Sequence, residues 1–300
     1  MPDHADAALA FGRVLTAMVT PFDASGAVDL DVAQRLATHL VDQGCDGLVV
    51  SGTTGESPTT SPAEQDDLLR AVLSAVGDRA RVVAGVGTND TAHTVELALA
   101  AQQSGAHGLL VVTPYYNKPP QEGVVAHFTA VADATGLPVM LYDIPGRTGT
   151  PIRRETLQRL GAHPRILAVK DAKGDLFEGS RVMAESGLAY YSGDDLLNLP
   201  WLAVGATGVV SVVAHVAADR YAAMVRAVDA GNLELARKLH VELLPAVTTL
   251  MTRTQGAIAV KAALELLGLL PNRSVRLPLV PATEDQVSAI GADLHQIGIL

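Results

Sequence analysis

Among 300 residues there is one cysteine, Cys45, so no internal disulfide can form and no Cys-x-x-Cys pair offers a structural zinc site. A reducing compartment suits such a chain, and a cytoplasmic protein is expected. No run approaches the ~18 consecutive apolar residues that a membrane span requires. The N-terminal MPDHADAALAFGR also lacks the basic start and apolar stretch of a secretory signal. Basic runs are missing too: 32 acidic residues against 22 basic ones leave a net charge of −10, which argues against a nucleic-acid partner. The nine histidines show neither H-x-H nor H-E-x-x-H spacing, so no catalytic metal is expected. Lysine itself is scarce. Of the 22 basic residues, 17 are arginine and five are lysine: Lys118, Lys170, Lys173, Lys238 and Lys261.

What the chain does have is short, apolar, β-branched runs. Eight occur: Val14 to Val19, Gly47 to Val50, Val82 to Gly85, Gly108 to Val112, Pro138 to Tyr142, Ile166 to Lys170, Leu188 to Ser192 and Gly208 to Val213. Their starts lie 20 to 35 residues apart, with helix-like segments between them. The runs are continuous rather than alternating, as expected of parallel strands buried on both faces. A small internal repeat supports a β/α unit. Gly44-Cys45-Asp46-Gly47, Gly105-Ala106-His107-Gly108 and Gly205-Ala206-Thr207-Gly208 each read as a helix-ending glycine, a tight loop and a strand start. Neither a G-x-G-x-x-G after the first strand nor a G-x-x-x-x-G-K-[ST] is present, which disfavours a doubly wound nucleotide-binding sheet. The α/β class expected is therefore a (β/α)8 TIM barrel over residues 1–230. Ser61-Pro62-Ala63-Glu64 has the form of a capped helix start, and that helix should run to about Val76. After the last strand, Ala217 to Ala230, Leu233 to Met251, Ile258 to Leu267 and Glu284 to Leu294 read as amphipathic helices. The first closes the barrel; the others form a C-terminal helical appendage over residues 231–300.

Barrel enzymes carry their chemistry at the C-terminal ends of the strands. Lys170 ends the sixth run, where an unpaired ammonium is costly. An arginine cannot give up its proton at useful pH, so a lysine kept there suits an amine that must become neutral, as Schiff-base formation demands. An ordinary lysine, with a pKa near ~10.4, is neutral about once in 2,500 molecules at pH 7, so burial must lower that pKa. The alternative is a structural lysine paired with Asp171 or Asp194. Lys173 is a second candidate in a polar loop. Gly52-Thr53-Thr54-Gly55 offers N–H groups and hydroxyls suited to a small carboxylate, or is an ordinary strand-to-helix turn. Tyr142, Tyr115 and Tyr116 sit at strand ends, where a phenol relays protons or packs at the rim. Arg147 either clamps a carboxylate or is solvated. Cys45 lies before the second strand, away from these groups, and reads as core.

At these residues the chain resembles the dihydrodipicolinate synthase and N-acetylneuraminate lyase superfamily of pyruvate-dependent barrel enzymes, and the match runs along nearly the whole chain. It rests on Gly52-Thr53-Thr54-Gly55-Glu56, Pro114-Tyr115-Tyr116-Asn117, Tyr142-Asp143-Ile144-Pro145-Gly146-Arg147-Thr148-Gly149, Val169-Lys170-Asp171, Ser192-Gly193-Asp194-Asp195 and Gly208-Val209-Val210-Ser211. The resemblance implies that Lys170 forms an imine with pyruvate, with no other cofactor. It implies that Tyr142 moves protons and that Thr54 links Tyr142 to Tyr116 of a neighbouring subunit. Thr53 and Thr54 would hold the pyruvate carboxylate, and Gly193 and Val210 would add backbone contacts. Arg147 marks the branch whose second substrate is aspartate semialdehyde, and the sialic acid lyases lack it. Asp143 stands where many relatives have asparagine. A homotetramer built of dimers is implied. In relatives that lysine inhibits, histidines and an acid line a site near the dimer interface; here Pro62, Gln65 and His93 replace them, so weak or absent inhibition by lysine is expected. Two further readings share the same residues: another pyruvate-dependent aldolase, which Arg147 argues against, and a silent keto-acid-binding paralogue. The latter requires loss of Lys170, Tyr142 or Thr54, and all three are present.

Overall fold

The structure, a computed structural model, describes residues 5–300. Eight strands, β1 (Val14–Ala17), β2 (Gly47–Val50), β3 (Arg81–Gly85), β4 (Gly108–Val112), β5 (Val139–Asp143), β6 (Ile166–Asp171), β7 (Ala189–Ser192) and β8 (Gly208–Ser211), close into a barrel in sequence order. Every neighbouring pair is parallel, including β1 against β8. The chain is therefore the expected TIM barrel, with C-terminal helices added.

The continuity of the apolar runs has a simple cause: each strand is buried on both sides. Leu15, Val49, Val83, Leu110, Met140, Ala168, Ala189 and Val210 face the barrel interior, whereas Val14, Leu48, Val82, Leu109, Leu141, Val169 and Val209 pack outward against the helices. The three repeat glycines, Gly44, Gly105 and Gly205, adopt φ of +105°, +91° and +108°, the left-handed turn that ends each helix before its strand. The helix Pro62–Val76 begins with the capping box read from the sequence: Glu64 N–H donates to Ser61 Oγ at 3.3 Å and Ser61 N–H to Glu64 Oε2 at 2.8 Å.

The first and last strands stop earlier than their apolar runs. Val19 N–H turns aside to donate to His215 Nε2 at 3.1 Å, and Val212 and Val213 N–H donate to Asp195 Oδ2 rather than to a neighbouring strand. A helix at Ala5–Phe11, which the N-terminal sequence had not suggested, seals the floor. Phe11 is fully buried and meets Tyr191 edge-on at 6.4 Å, while Tyr191 Oη donates to Gly12 O at 2.8 Å. After β8 the chain forms Ala214–Asp229, with non-helical backbone at Ala217, then Leu233–Thr252, Gly256–Leu266 and Glu284–Gln296. These last helices pack on one another and on Ala214–Asp229.

Candidate active site

Strand register brings the principal candidates together. Tyr142 on β5 pairs with Lys170 on β6, and Lys170 pairs with Tyr191 on β7. Side chains alternate along a strand, so Tyr142 and Lys170 point inward one layer above Met140 and Ala168, while Asp143 and Asp171 take the outer face. Lys170 is 5% exposed and its Nζ lies 4.1 Å from the centre of the Tyr142 ring. Burial pushes its pKa down to about 8; Asp195 opposes the shift and the charge of Arg147 assists it. Neither proposed structural partner takes the ammonium. Asp171 Oδ1 accepts from Lys173 N and Gly174 N, and Asp194 Oδ1 from Leu196 N. The lysine that does pair with an outer-face acid is Lys173, with Nζ 3.4 Å from Asp143 Oδ2. Burial pushes Asp143 up to about 6, with Lys173 restraining the shift and Asp171 adding to it. Lys173 is thus occupied outside the barrel interior.

Gly193 has to be glycine for a reason specific to Lys170. A Cβ there would lie 2.8 Å from Lys170 Cγ and 3.0 Å from Asp171 O, so any side chain would displace the lysine. The Gly193 N–H donates to Asp171 O at 2.7 Å, which holds the end of β7 against β6. Val210, 1% exposed, faces the barrel interior from β8.

The turn after β2 is tight: Glu56 N–H donates to Thr53 O at 3.2 Å and Ser57 N–H to Gly52 O at 3.3 Å, with Ser51 and Glu56 both at positive φ. Its two threonines diverge. Thr54 is buried at 8% exposure, whereas Thr53 faces a cavity of about 610 Å³ at the barrel mouth. Thr53 also acts on the Tyr142 phenol. Thr54, the link expected from the sequence, is the more buried of the two. Burial pushes the Tyr142 phenol up to about 12, while Arg147 and Thr53 pull it down. The phenol is thus protonated at neutral pH and able to give a proton.

The same cavity is lined by Tyr115, Tyr116, Ile144 and Arg147. Arg147 lies on the short helix Pro145–Thr148 that follows β5, where its N–H donates to Ile144 O at 2.9 Å. Tyr116 stands at the rim at φ +72° and is 88% exposed. Cys45 lies elsewhere, 2.9 Å from Thr16 Oγ1, with its thiol pushed up to about 12 by burial.

Two residues with supporting roles carried little signal in the sequence. Asp195 is buried and its charge acts on Lys170; its carboxylate accepts from Val212 N, Val213 N, Asn198 Nδ2 and the Ser211 hydroxyl. That network anchors the segment after β8. His215 is held neutral by burial, with its pKa near 4, and bridges Val212 O and Val19 N–H, tying the ends of β8 and β1. Asp195 appeared only as the last letter of a motif, and His215 only as one of nine histidines without metal spacing.

Comparison with known proteins bears on this geometry. The model of the dihydrodipicolinate synthetase family matches residues 10–297. The chain is 69% identical to the 4-hydroxy-tetrahydrodipicolinate synthase of Kineococcus radiotolerans, over 96% of this chain and 94% of the relative. It is 64% identical to 4-hydroxy-tetrahydrodipicolinate synthase 2 of Streptomyces coelicolor, over 96% of each. Among solved structures, the enzyme of Cyanidioschyzon merolae with lysine bound superposes with a TM-score of 0.94 at 42% identity, covering 97% of this chain and 99% of that one.

Proposed function

The chain belongs to the dihydrodipicolinate synthetase family, and on that premise we propose that it is a lyase, a 4-hydroxy-tetrahydrodipicolinate synthase. It condenses pyruvate with L-aspartate 4-semialdehyde through a Schiff base on Lys170, without another cofactor. The observation that carries the assignment is the buried amine of Lys170, without an ion-pair partner, beside the Tyr142 ring. With a pKa near 8, about one Lys170 in ten is neutral at pH 7, some two hundred times more than for an ordinary lysine.

The neutral amine attacks C2 of pyruvate, and Tyr142 supplies the proton with which the hydroxyl leaves as water, giving the imine. The Tyr142 phenolate then takes a proton from the methyl group, turning the imine into an enamine; its carbon attacks the aldehyde to form the new C–C bond as the aldehyde oxygen receives that proton. The turn bearing Thr53 and Thr54 receives the pyruvate carboxylate, Thr53 relays protons to Tyr142, and Gly193 and Val210 shape the wall around the imine. Arg147, at the cavity mouth, takes the carboxylate of the aldehyde substrate, for which a planar bidentate donor is suited. Tyr116, exposed at the rim, reaches the corresponding cavity of a partner subunit in a homotetramer. A cytoplasmic setting accords with the one buried thiol, and none of the described helices is long and apolar enough to cross a membrane.

Borohydride reduction with pyruvate, followed by peptide mapping, tests the assignment. A mass addition on Lys170 is expected; an adduct on another lysine, or none, overturns it.

A further inference from the structure

The turn beside the site is fastened from behind by the C-terminal helical layer. Glu56, which ends the turn, is 3% exposed and sits at φ +55°, a conformation that a residue with a Cβ seldom holds without support. Its Oε1 accepts from Lys261 Nζ at 2.5 Å and its Oε2 from the Arg276 backbone N–H at 2.9 Å. Lys261, on the helix Gly256–Leu266, is fully buried; it also donates to Ser274 O at 2.8 Å and lies 4.1 Å from the centre of the Phe22 ring. The Arg276 guanidinium rests 4.5 Å from the same ring. It donates to Gly26 O, to Thr59 O just beyond the turn, and to both carboxylate oxygens of Glu64 on the following helix. The turn and the start of the helix after it are therefore gripped by two cations that arrive more than 200 residues later in the chain.

A buried ion pair adds little net stability compared with apolar residues of the same shape, because both charges lose their water; what it does supply is a single permitted geometry. Nothing in the barrel closure itself needs a charge behind β2. The geometry it specifies is that of the turn from Gly52 to Glu56, whose Thr53 faces the barrel mouth.

We propose that Lys261, Glu56 and Arg276 are positioning residues of the pyruvate subsite, by which the C-terminal helices hold the threonine turn in the conformation that receives the carboxylate. This rests on the assignment of that turn to pyruvate. It makes the C-terminal layer part of the binding apparatus.

Three variants test it, each read by the pyruvate concentration that half-saturates borohydride trapping at Lys170, by KM for each substrate, and by Tm. Lys261→Met raises half-saturating pyruvate and its KM about tenfold, while KM for the aldehyde changes less than twofold. The double variant Glu56→Gln with Lys261→Met removes the stranded charge, so Tm recovers while KM for pyruvate stays raised. Arg276→Met, at a site that keeps some contact with solvent, gives the same selective rise at about threefold. If Tm falls but half-saturating pyruvate matches the wild type in the variants that fold, the pair is merely structural and the proposal is lost. If the wild type itself shows no pyruvate-dependent adduct, the assignment of the site fails first and this inference with it.

Discussion

Lys170 and Lys261 are both buried, each with its Nζ 4.1 Å from the centre of an aromatic ring, and burial pushes both pKa values down to about 8. Their surroundings differ in one respect. Lys261 donates to a carboxylate at 2.5 Å and to a backbone carbonyl, and so has its direction set by two acceptors. Lys170 has no carboxylate within ion-pairing distance among the described residues; the acid that most affects it, Asp195, is itself held by four donors. Desolvation alone therefore does not make a lysine a nucleophile. An amine committed to a counter-ion is a fastener, and an amine left without one is available for chemistry.

The largest test of this contrast replaces each lysine by methionine. Lys170→Met should lower turnover by about 10⁴-fold or more while leaving Tm equal to or above the wild type, since an unpaired buried amine is replaced by an apolar chain of similar shape. Lys261→Met should do the reverse to stability, with a loss of about 3–5 kcal/mol from stranding Glu56 in the interior. Steady-state rates and denaturant titrations check both, and a Tm that falls equally in the two variants would erase the distinction.

A smaller effect concerns pH. Lys170 is an ammonium below its pKa near 8 and a free amine above it, so the initial rate of imine trapping should rise about tenfold between pH 7 and pH 9 and then level off. Because the charge of Arg147 helps to lower that pKa, Arg147→Ala should move the midpoint to higher pH in addition to raising KM for the aldehyde. A midpoint that stays in place means that Arg147 does not act on the lysine electrostatically.

The smallest expected effect lies on the far side of the turn that separates the two lysines. Gln65 turns its Nε2 inward to Ser57 O and to Thr60, and His93 lies 3.3 Å from Glu96 on its own helix. Both side chains border a hollow of about 260 Å³ but have local partners, so millimolar free lysine should change the rate less than twofold. Inhibition beyond that in a direct assay would show that these substitutions leave an effective site.

Much of the fold was legible in the sequence because parallel strands buried on both faces must be unbroken apolar runs, and because capping chemistry is local, as at Ser61 and Glu64. The repeat glycines were legible for the same local reason: a helix has to end in a left-handed residue before the next strand starts. Strand ends were less so. Val19, Val212 and Val213 are as apolar as their predecessors, and only the presence of His215 and Asp195 shows why their N–H groups leave the sheet.

Within the site, Lys170 stood out in the sequence by itself, a rare lysine closing an apolar strand. Which threonine faces the cavity did not, because adjacent residues in a turn differ only in the direction the folded backbone gives them. The role of Lys261 was equally out of reach, since its carboxylate is 205 residues away and becomes a neighbour only once the barrel has closed and the last helices have packed against it. The sequence alone determined the barrel and the amine at its mouth, through periodicity and the cost of burying charge. Which lysine is paired and which is left free was decided by the tertiary structure, because an ion pair needs two groups within a few ångströms and no local pattern records that distance.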